Sequence, residues 1–270
     1  MIIDAHHHFW DPARADYPFL DDVPSLFRRF GPEDLQHEIE SNRIDGSIVV
    51  QARSSLDETE QLLVIAETTP WVVGVVGWVD LTAPDDLAGT LATFAGRGLI
   101  GVRHQVHDEP DPGWIVRSDV QRSLEVVAEA GLAFDLLVRT RELPAAIACA
   151  QRNGDLRLIL DHVAKPPFGT SSMADWRNGI LRLAELPNVF CKLSGLRTET
   201  PDLAAAARAI REAVEYFGAD RCLFGSDWPV CLLAAGYAES LDLVRSAVAP
   251  DVVPIVLGET AARAYRLDLC

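Results

Sequence analysis

The sequence predicts a closed (β/α)8 barrel, and three observations predict it. Eight short β-rich runs alternate with amphipathic Ala/Leu/Glu-rich stretches from one end of the chain to the other. No Gly/Ser-rich linker or break in composition divides the 270 residues, a length at which an α/β barrel commonly forms one unit, so a single domain over 1–270 is expected. No Gly-rich dinucleotide fingerprint follows the first strand, which disfavours the open doubly wound alternative.

The strand segments are MIIDAHHH (1–8), DGSIVVQAR (45–53), WVVGVVGWVD (71–80), LIGVRHQV (99–106), AFDLLVR (133–139), LRLILDHVA (156–164), VFCKLSG (189–195) and RCLFGSDWP (221–229). Helices are expected from 32, 57, 84, 118 and 202, each opened by Pro, Ser or Asp, which supply a cap or a first-turn acid. Two more are expected near 141–152 and 173–186, and YAESLDLVRSAV and GETAARAYRL close the chain.

Lys plus Arg number 24 against 40 Asp plus Glu, a formal charge of −16. That balance argues against a nucleic-acid or anionic-membrane partner and for a small molecule. No apolar run reaches the length of a membrane span. Five cysteines (149, 191, 222, 231 and 270), with no CxxC pair and no signal peptide, read as buried thiols in a reducing, cytoplasmic compartment. Oligomeric state is not legible in the sequence.

In a barrel of this kind the active site lies at the C-terminal ends of the strands, so polar residues closing apolar runs carry the information. His6 and His8 are two apart, and the period of two along a strand puts both imidazoles on one face, with His7 turned away to a structural hydrogen bond. His162 follows the apolar LIL and Asp161; its plain alternative is a core histidine bonded to a carbonyl. Asp227 follows LFGS, where small neighbours give access and burial is expected to raise its pKa toward general-base work. Its plain alternative is a cap on the next loop.

Arg103 and His104 end the fourth strand, and a guanidinium suits a carboxylate or an oxyanion, or the bracing of Asp108, Glu109 and Asp111 nearby. Lys192 is either a site cation or a side chain snorkelling out of the barrel. Gln51 ends the second strand, and Trp10, Trp114 and Trp228 follow strand ends, where they suit the wall of a sugar-sized pocket. No GxSxG elbow, Walker loop or HExxH is present.

The stretches IDAHHHFWDP, IVVQARSSLDETEQLL, GVRHQVHDEPDPGW, LILDHVAKPP, FCKLSGL, LFGSDWPVCLLAAGY and ETAARAYRL, in this order along the whole chain, resemble the amidohydrolase superfamily. Within its amidohydrolase-related branch the similarity is greatest to the L-fuconolactonase- and L-rhamnonolactonase-like sugar lactonases. The resemblance implies a (β/α)8 barrel with His6, His8, His162 and Asp227 as the shared site, and Arg103, His104, Gln51, Lys192, Trp10 and Trp228 toward substrate. It also implies a departure, because two-metal members use a carboxylated Lys on strand four and a His on strand five. Here strand four offers Arg103 and strand five has no His. Two arrangements follow: one divalent ion, Zn2+, on His6, His8 and Asp227 with His162 beside them, or chemistry without metal.

The expected reaction is hydrolysis of a sugar-acid lactone, with Asp227 as base for water and the histidines polarising the carbonyl. The rivals are a metal-dependent amide hydrolase or decarboxylase on the same scaffold, and a sugar-acid binding protein without catalysis.

Overall fold

A computed structural model describes residues 1–268 of the chain. Among them eight parallel strands, β1 (Ile3–His7), β2 (Gly46–Val50), β3 (Val72–Gly77), β4 (Leu99–His104), β5 (Ala133–Leu136), β6 (Arg157–Leu160), β7 (Val189–Leu193) and β8 (Cys222–Phe224), form one sheet in sequence order. The sheet closes where the His8 amide donates to the Trp228 carbonyl (2.7 Å) and the Asp227 amide to the His6 carbonyl (2.8 Å). The seam of the barrel is therefore made by the residues singled out as chemical.

The helices are α1 (Pro32–Ser41), α2 (Leu56–Thr68), α3 (Pro84–Phe94), α4 (Ser118–Glu129), α5 (Leu143–Arg152), α6 (Met173–Ala184), a single turn α7 (Leu196–Glu199), α8 (Leu203–Phe217), α9 (Tyr237–Ala247) and α10 (Thr260–Tyr265). Local chemistry sets their starts. The Ser55 side chain accepts from the Glu58 amide at the head of α2, Asp202 accepts from the Ala204 and Ala205 amides at the head of α8, and α1 and α3 each begin on a proline. None of the described helices is long and apolar enough to cross a membrane.

Two apolar layers hold the fold. Leu, Val and Phe side chains of the outer strand faces, among them Val49, Val75, Val102, Phe134 and Leu160, pack against the helices. Inside the barrel a smaller cluster of Ile3, Ala5, Ile48, Val50, Val76, Ala133, Ile159, Phe190 and Leu223 is plugged by Ala261, Ala264 and Tyr265 of α10. The next layer toward the C-terminal ends is polar. Cys149, Cys191, Cys222 and Cys231 are free and buried, and Cys270 lies outside the described residues.

The ladders are shorter than the sequence segments. β8 has three residues, and β6 stops at Leu160, because the polar residues beyond these points leave the sheet for the site.

Candidate active site

β1 carries the first two ligand-type side chains through a change of phase. Ile3 and Ala5 belong to the inner core, so strict alternation would send His7 inward. The β1–β2 register shifts between Asp4 and His7, and after the shift His6 and His8 face the barrel mouth while His7 faces outward. His7 is buried, bonded to Ser47 Oγ on the adjacent strand (2.8 Å), and packed on Phe9 and Trp71. Asp4, bonded to the Ser226 amide (2.8 Å) and the Tyr237 hydroxyl (2.9 Å), ties β1 to the end of β8.

After β6 the chain enters the left-handed region for four consecutive non-glycine residues, His162, Val163, Ala164 and Lys165, with φ between 47° and 56°. Each costs roughly 1–2 kcal/mol, so the surroundings must over-determine the turn. They do so with the Trp176 indole donating to the Val163 carbonyl (2.8 Å) and with His162 Nδ1 against Ser194 Oγ (2.8 Å). Asp227 is also left-handed (φ 60°).

The result is a convergence on one carboxylate oxygen. Asp227 Oδ1 lies 3.5 Å from His8 Nε2, 3.8 Å from His6 Nε2 and 4.0 Å from His162 Nε2, and His6 Nε2 is 3.2 Å from His8 Nε2. Gly195 and Gly225 make the room. A Cβ on Gly195 (φ +65°) would come within 2.6 Å of His162 Nδ1 and 3.1 Å of Asp227 Oδ2, and one on Gly225 within 2.6 Å of the His6 Cβ.

Directly below, around His6, is a second polar cluster. Arg103 (β4), Asp135 (β5), Asp161 (after β6) and Lys192 (β7) are all buried. Lys192 Nζ is bonded to Asp135, lies 3.1 Å from Asp161 Oδ1 and 3.1 Å from His6 Nδ1. Arg103 Nη1 reaches Asp161 Oδ2 (3.1 Å) and lies 3.3 Å from His6 Nε2. The Tyr265 hydroxyl meets both oxygens of Asp135 (2.7 and 2.8 Å). Two lysine- and arginine-borne charges thus balance two carboxylates inside the barrel.

This environment sets the charge states. Burial, helped by the Lys192 charge, pushes His6 well below the ordinary imidazole value of 6.5. Burial brings His162 to about 4, only partly opposed by Asp227. Asp161 is pushed up by burial, but Lys192 and His6 outweigh it and hold the carboxyl well below its usual value. Asp227 departs from the sequence-based expectation. Burial does push it up, but His162, the His8 hydrogen bond and His6 together outweigh burial and leave it below the usual carboxylate range. At neutral pH the site holds Asp227 as an anion facing neutral His6 and His162.

The donor set at the mouth fits a metal ion. The Val50 carbonyl only accepts, so His8 donates to it from Nδ1 (2.8 Å), and Nε2 is the nitrogen turned toward Asp227 (3.5 Å). His162 has Nδ1 engaged by Ser194 and Nε2 on the same side. His6, His162 and Asp227 offer ligand atoms within 4.8 Å of one another, and His8 adds a fourth beside two of them. Imidazole nitrogens and one carboxylate are the chemistry of a zinc site. His6, Asp135 and Asp161 make a second such set, but Lys192 already supplies the cation there.

Several residues expected to touch substrate are otherwise engaged. Lys192 is fully buried beneath His6 and neither snorkels out nor reaches the mouth. Gln51 is buried, donating to the Arg103 carbonyl and accepting from the Arg103 guanidinium (3.3 Å each), so it holds Arg103. His104 is stacked on Trp114 (4.1 Å, 10°), accepts at Nδ1 from the Trp78 indole (3.1 Å) and meets Glu109 through Nε2 (2.7 Å), so both nitrogens are spent on loop structure. Trp10 donates to the Leu26 and Arg28 carbonyls, and Trp228 packs against Phe9 and Phe30; both indoles are buried in the loop core. Arg103 remains at the site, with a buried Nε that has no partner.

The residues that sequence reasoning missed are Asp135, Tyr265, Gly195 and Glu58. Asp135 was signalled only as an acid inside an apolar strand. Glu58, in the first turn of α2, accepts from the Ala52 and Arg53 amides (2.9 Å each) and pins the end of β2.

Comparison with known proteins agrees with this geometry. The amidohydrolase family model matches residues 3–267. An L-fucono-1,5-lactonase of Burkholderia ambifaria is 36% identical over 277 residues, covering 98% of this chain and 96% of that protein. An L-fucono-1,5-lactonase of Burkholderia multivorans is 38% identical over 286 residues, covering 99% and 96%. The crystal structure of a B. multivorans amidohydrolase with bound zinc superposes with a TM-score of 0.94 at 38% identity over 99% of both chains. With the barrel, the mouth cluster and a family match over nearly its whole length, the chain belongs to the amidohydrolase family.

Proposed function

We propose that the protein hydrolyses the lactone ring of a sugar acid, with Asp227 as the base. The observation that carries this reading is the convergence of three imidazole Nε2 atoms on Asp227 Oδ1 within 4.0 Å, in a chain 36–38% identical to L-fucono-1,5-lactonases. Asp227 is ionised at neutral pH and takes a proton from water as the water attacks the ring carbonyl; the same proton then goes to the departing ring oxygen. A carboxylate with a depressed pKa is a weak base, and this suits an activated ester such as a lactone better than an amide.

Developing charge on the carbonyl oxygen needs donors. Arg103 Nη1 is one. His162 is the other when its hydrogen is on Nε2, beside the Asp227 carboxylate, with Ser194 Oγ then donating to Nδ1. A zinc ion held by His6, His8, His162 and Asp227 would supply Lewis-acid polarisation of the carbonyl and a more acidic water.

The partner is then a small polyhydroxylated lactone. Four free buried cysteines suit a reducing compartment, which supports a cytoplasmic site of action.

The test is proton release in weak buffer from a panel containing L-fucono-1,5-lactone and other sugar-acid lactones, using chelator-stripped protein with and without zinc. Lactone turnover is expected. Silence on all lactones together with amide hydrolysis or decarboxylation would replace the reading, and tight lactone binding without proton release would make the protein a binder.

A further inference from the structure

His6 is caught between neighbours that decide which of its nitrogens carries the hydrogen. Lys192 Nζ, 3.1 Å from His6 Nδ1, has hydrogens to give and no lone pair to accept with. Its hydrogen bond to Nδ1 therefore requires that nitrogen to be bare. On the other side of the ring the Asp227 carboxylate has Oδ1 3.8 Å from His6 Nε2. A carboxylate only accepts, so it favours a hydrogen on Nε2. Both neighbours select the same form. Two contacts oppose this form: Arg103 Nη1, 3.3 Å from His6 Nε2, which has Asp161 Oδ2 at 3.1 Å as a better acceptor, and Asp161 Oδ1, 3.3 Å from His6 Nδ1, whose charge Lys192 Nζ meets at 3.1 Å.

Coordination of zinc through His6 Nε2 needs the opposite form, with Nε2 bare and the hydrogen on Nδ1. Ligating histidines characteristically give that other hydrogen to a carboxylate or carbonyl. The acceptor exists here: Asp161 Oδ1 lies 3.3 Å from His6 Nδ1, is buried and makes no hydrogen bond. Reaching it puts an N–H beside the Lys192 ammonium at 3.1 Å, donor against donor.

We propose that Lys192 is a positioning residue that holds His6 in its Nε2–H form, so that zinc binding must shift the hydrogen to Nδ1 against the ammonium and is weakened by it. The shift exchanges one hydrogen between two nitrogens of one ring and releases no net proton. The chain is thereby biased toward a site that works as imidazoles and takes up metal only at raised zinc concentration. The inference does not rest on which ring is opened, and its readouts are independent of turnover.

The test uses the full-length protein labelled with 15N-histidine. In chelator-stripped wild type, long-range 1H–15N correlation is expected to show His6 with Nε2 protonated and Nδ1 bare, and saturating zinc is expected to exchange the two patterns. His6 already protonated on Nδ1 without metal would overturn the proposal. Competition with a chromogenic chelator then reads affinity: Lys192→Met is expected to bind zinc about tenfold or more tightly than wild type. Equal or weaker binding by folded Lys192→Met would also overturn it, and should that variant not fold, the wild-type spectra decide alone.

Discussion

Two clusters one layer apart in the barrel share His6 and both set imidazole and carboxylate atoms close enough to surround an ion, yet they are different devices. At the mouth, His6, His8, His162 and Asp227 face one another with one negative charge and no resident cation. Beneath, His6, Asp135 and Asp161 are just as able by distance to surround an ion, but the space belongs to Lys192, with Arg103 on the far oxygen of Asp161. A set of histidines and carboxylates is a metal site only where the protein has not already supplied the charge. The lower cluster carries its own positive charge on side chains, and its work is to hold His6 and Arg103 from below.

The sharpest break in the comparison is at Asp227. Asp227→Asn should lower kcat by roughly 10²–10⁴ while substrate affinity, measured by equilibrium binding of a non-hydrolysed analogue, stays within about tenfold. Retained turnover would move the base elsewhere.

The lower cluster predicts stability, not turnover, as its main readout. Asp161→Asn leaves Lys192 and Arg103 short of one carboxylate in a fully buried place and should cost roughly 3–5 kcal/mol in urea unfolding. A loss below about 1 kcal/mol would mean that the two cations find solvent, contrary to their burial.

Acid should expose the mouth histidines. Burial lowers His162 from 6.5 to about 4, so between those values the unfolded chain takes up a proton that the folded chain refuses. The stability of metal-free protein is therefore full above about pH 6.5 and falls by up to ~3 kcal/mol from this residue by pH 4. His6 acts in the same direction. A flat urea midpoint from pH 7 to 4.5 would show these imidazoles to be charged when folded.

The smallest predicted effect lies outside both clusters. Burial raises Glu58 from 4.5 to about 7, against the hydrogen bonds from the Arg53 and Ala52 amides, so its ionisation costs stability as pH rises through that interval. Glu58→Gln keeps an oxygen for both amides and should raise the pH 8 midpoint, by roughly 1–3 kcal/mol, with little change at pH 5.

Much of this was legible in the sequence, for reasons that particular residues make plain. His6, His8 and Asp227 announce themselves because polar side chains ending apolar strands have few other uses. Strand periodicity pairs His6 with His8 on one face, but that this face points into the barrel depends on the register shift between Asp4 and His7, which periodicity does not reveal. Nothing in LILDHVAKPP signals four left-handed residues, since none is glycine or asparagine; tertiary contacts from Trp176 and Ser194 impose them. Lys192 shows as a cation in an apolar strand, but its partners Asp135 and Asp161 lie 57 and 31 residues away and arrive only through barrel closure. For the same reason Gln51, His104 and the tryptophans look like pocket lining in one dimension and prove to be braces in three.

The account turns on the mouth being the one place among the described residues where this barrel takes a metal, and zinc stoichiometry with location tests that most directly. Full-length protein saturated with zinc should bind one ion per chain by elemental analysis. A crystal structure of that form should place it on His6, His8, His162 and Asp227, with Lys192 still between Asp135 and Asp161. Two ions per chain, with Lys192 displaced from the lower carboxylates, would contradict it.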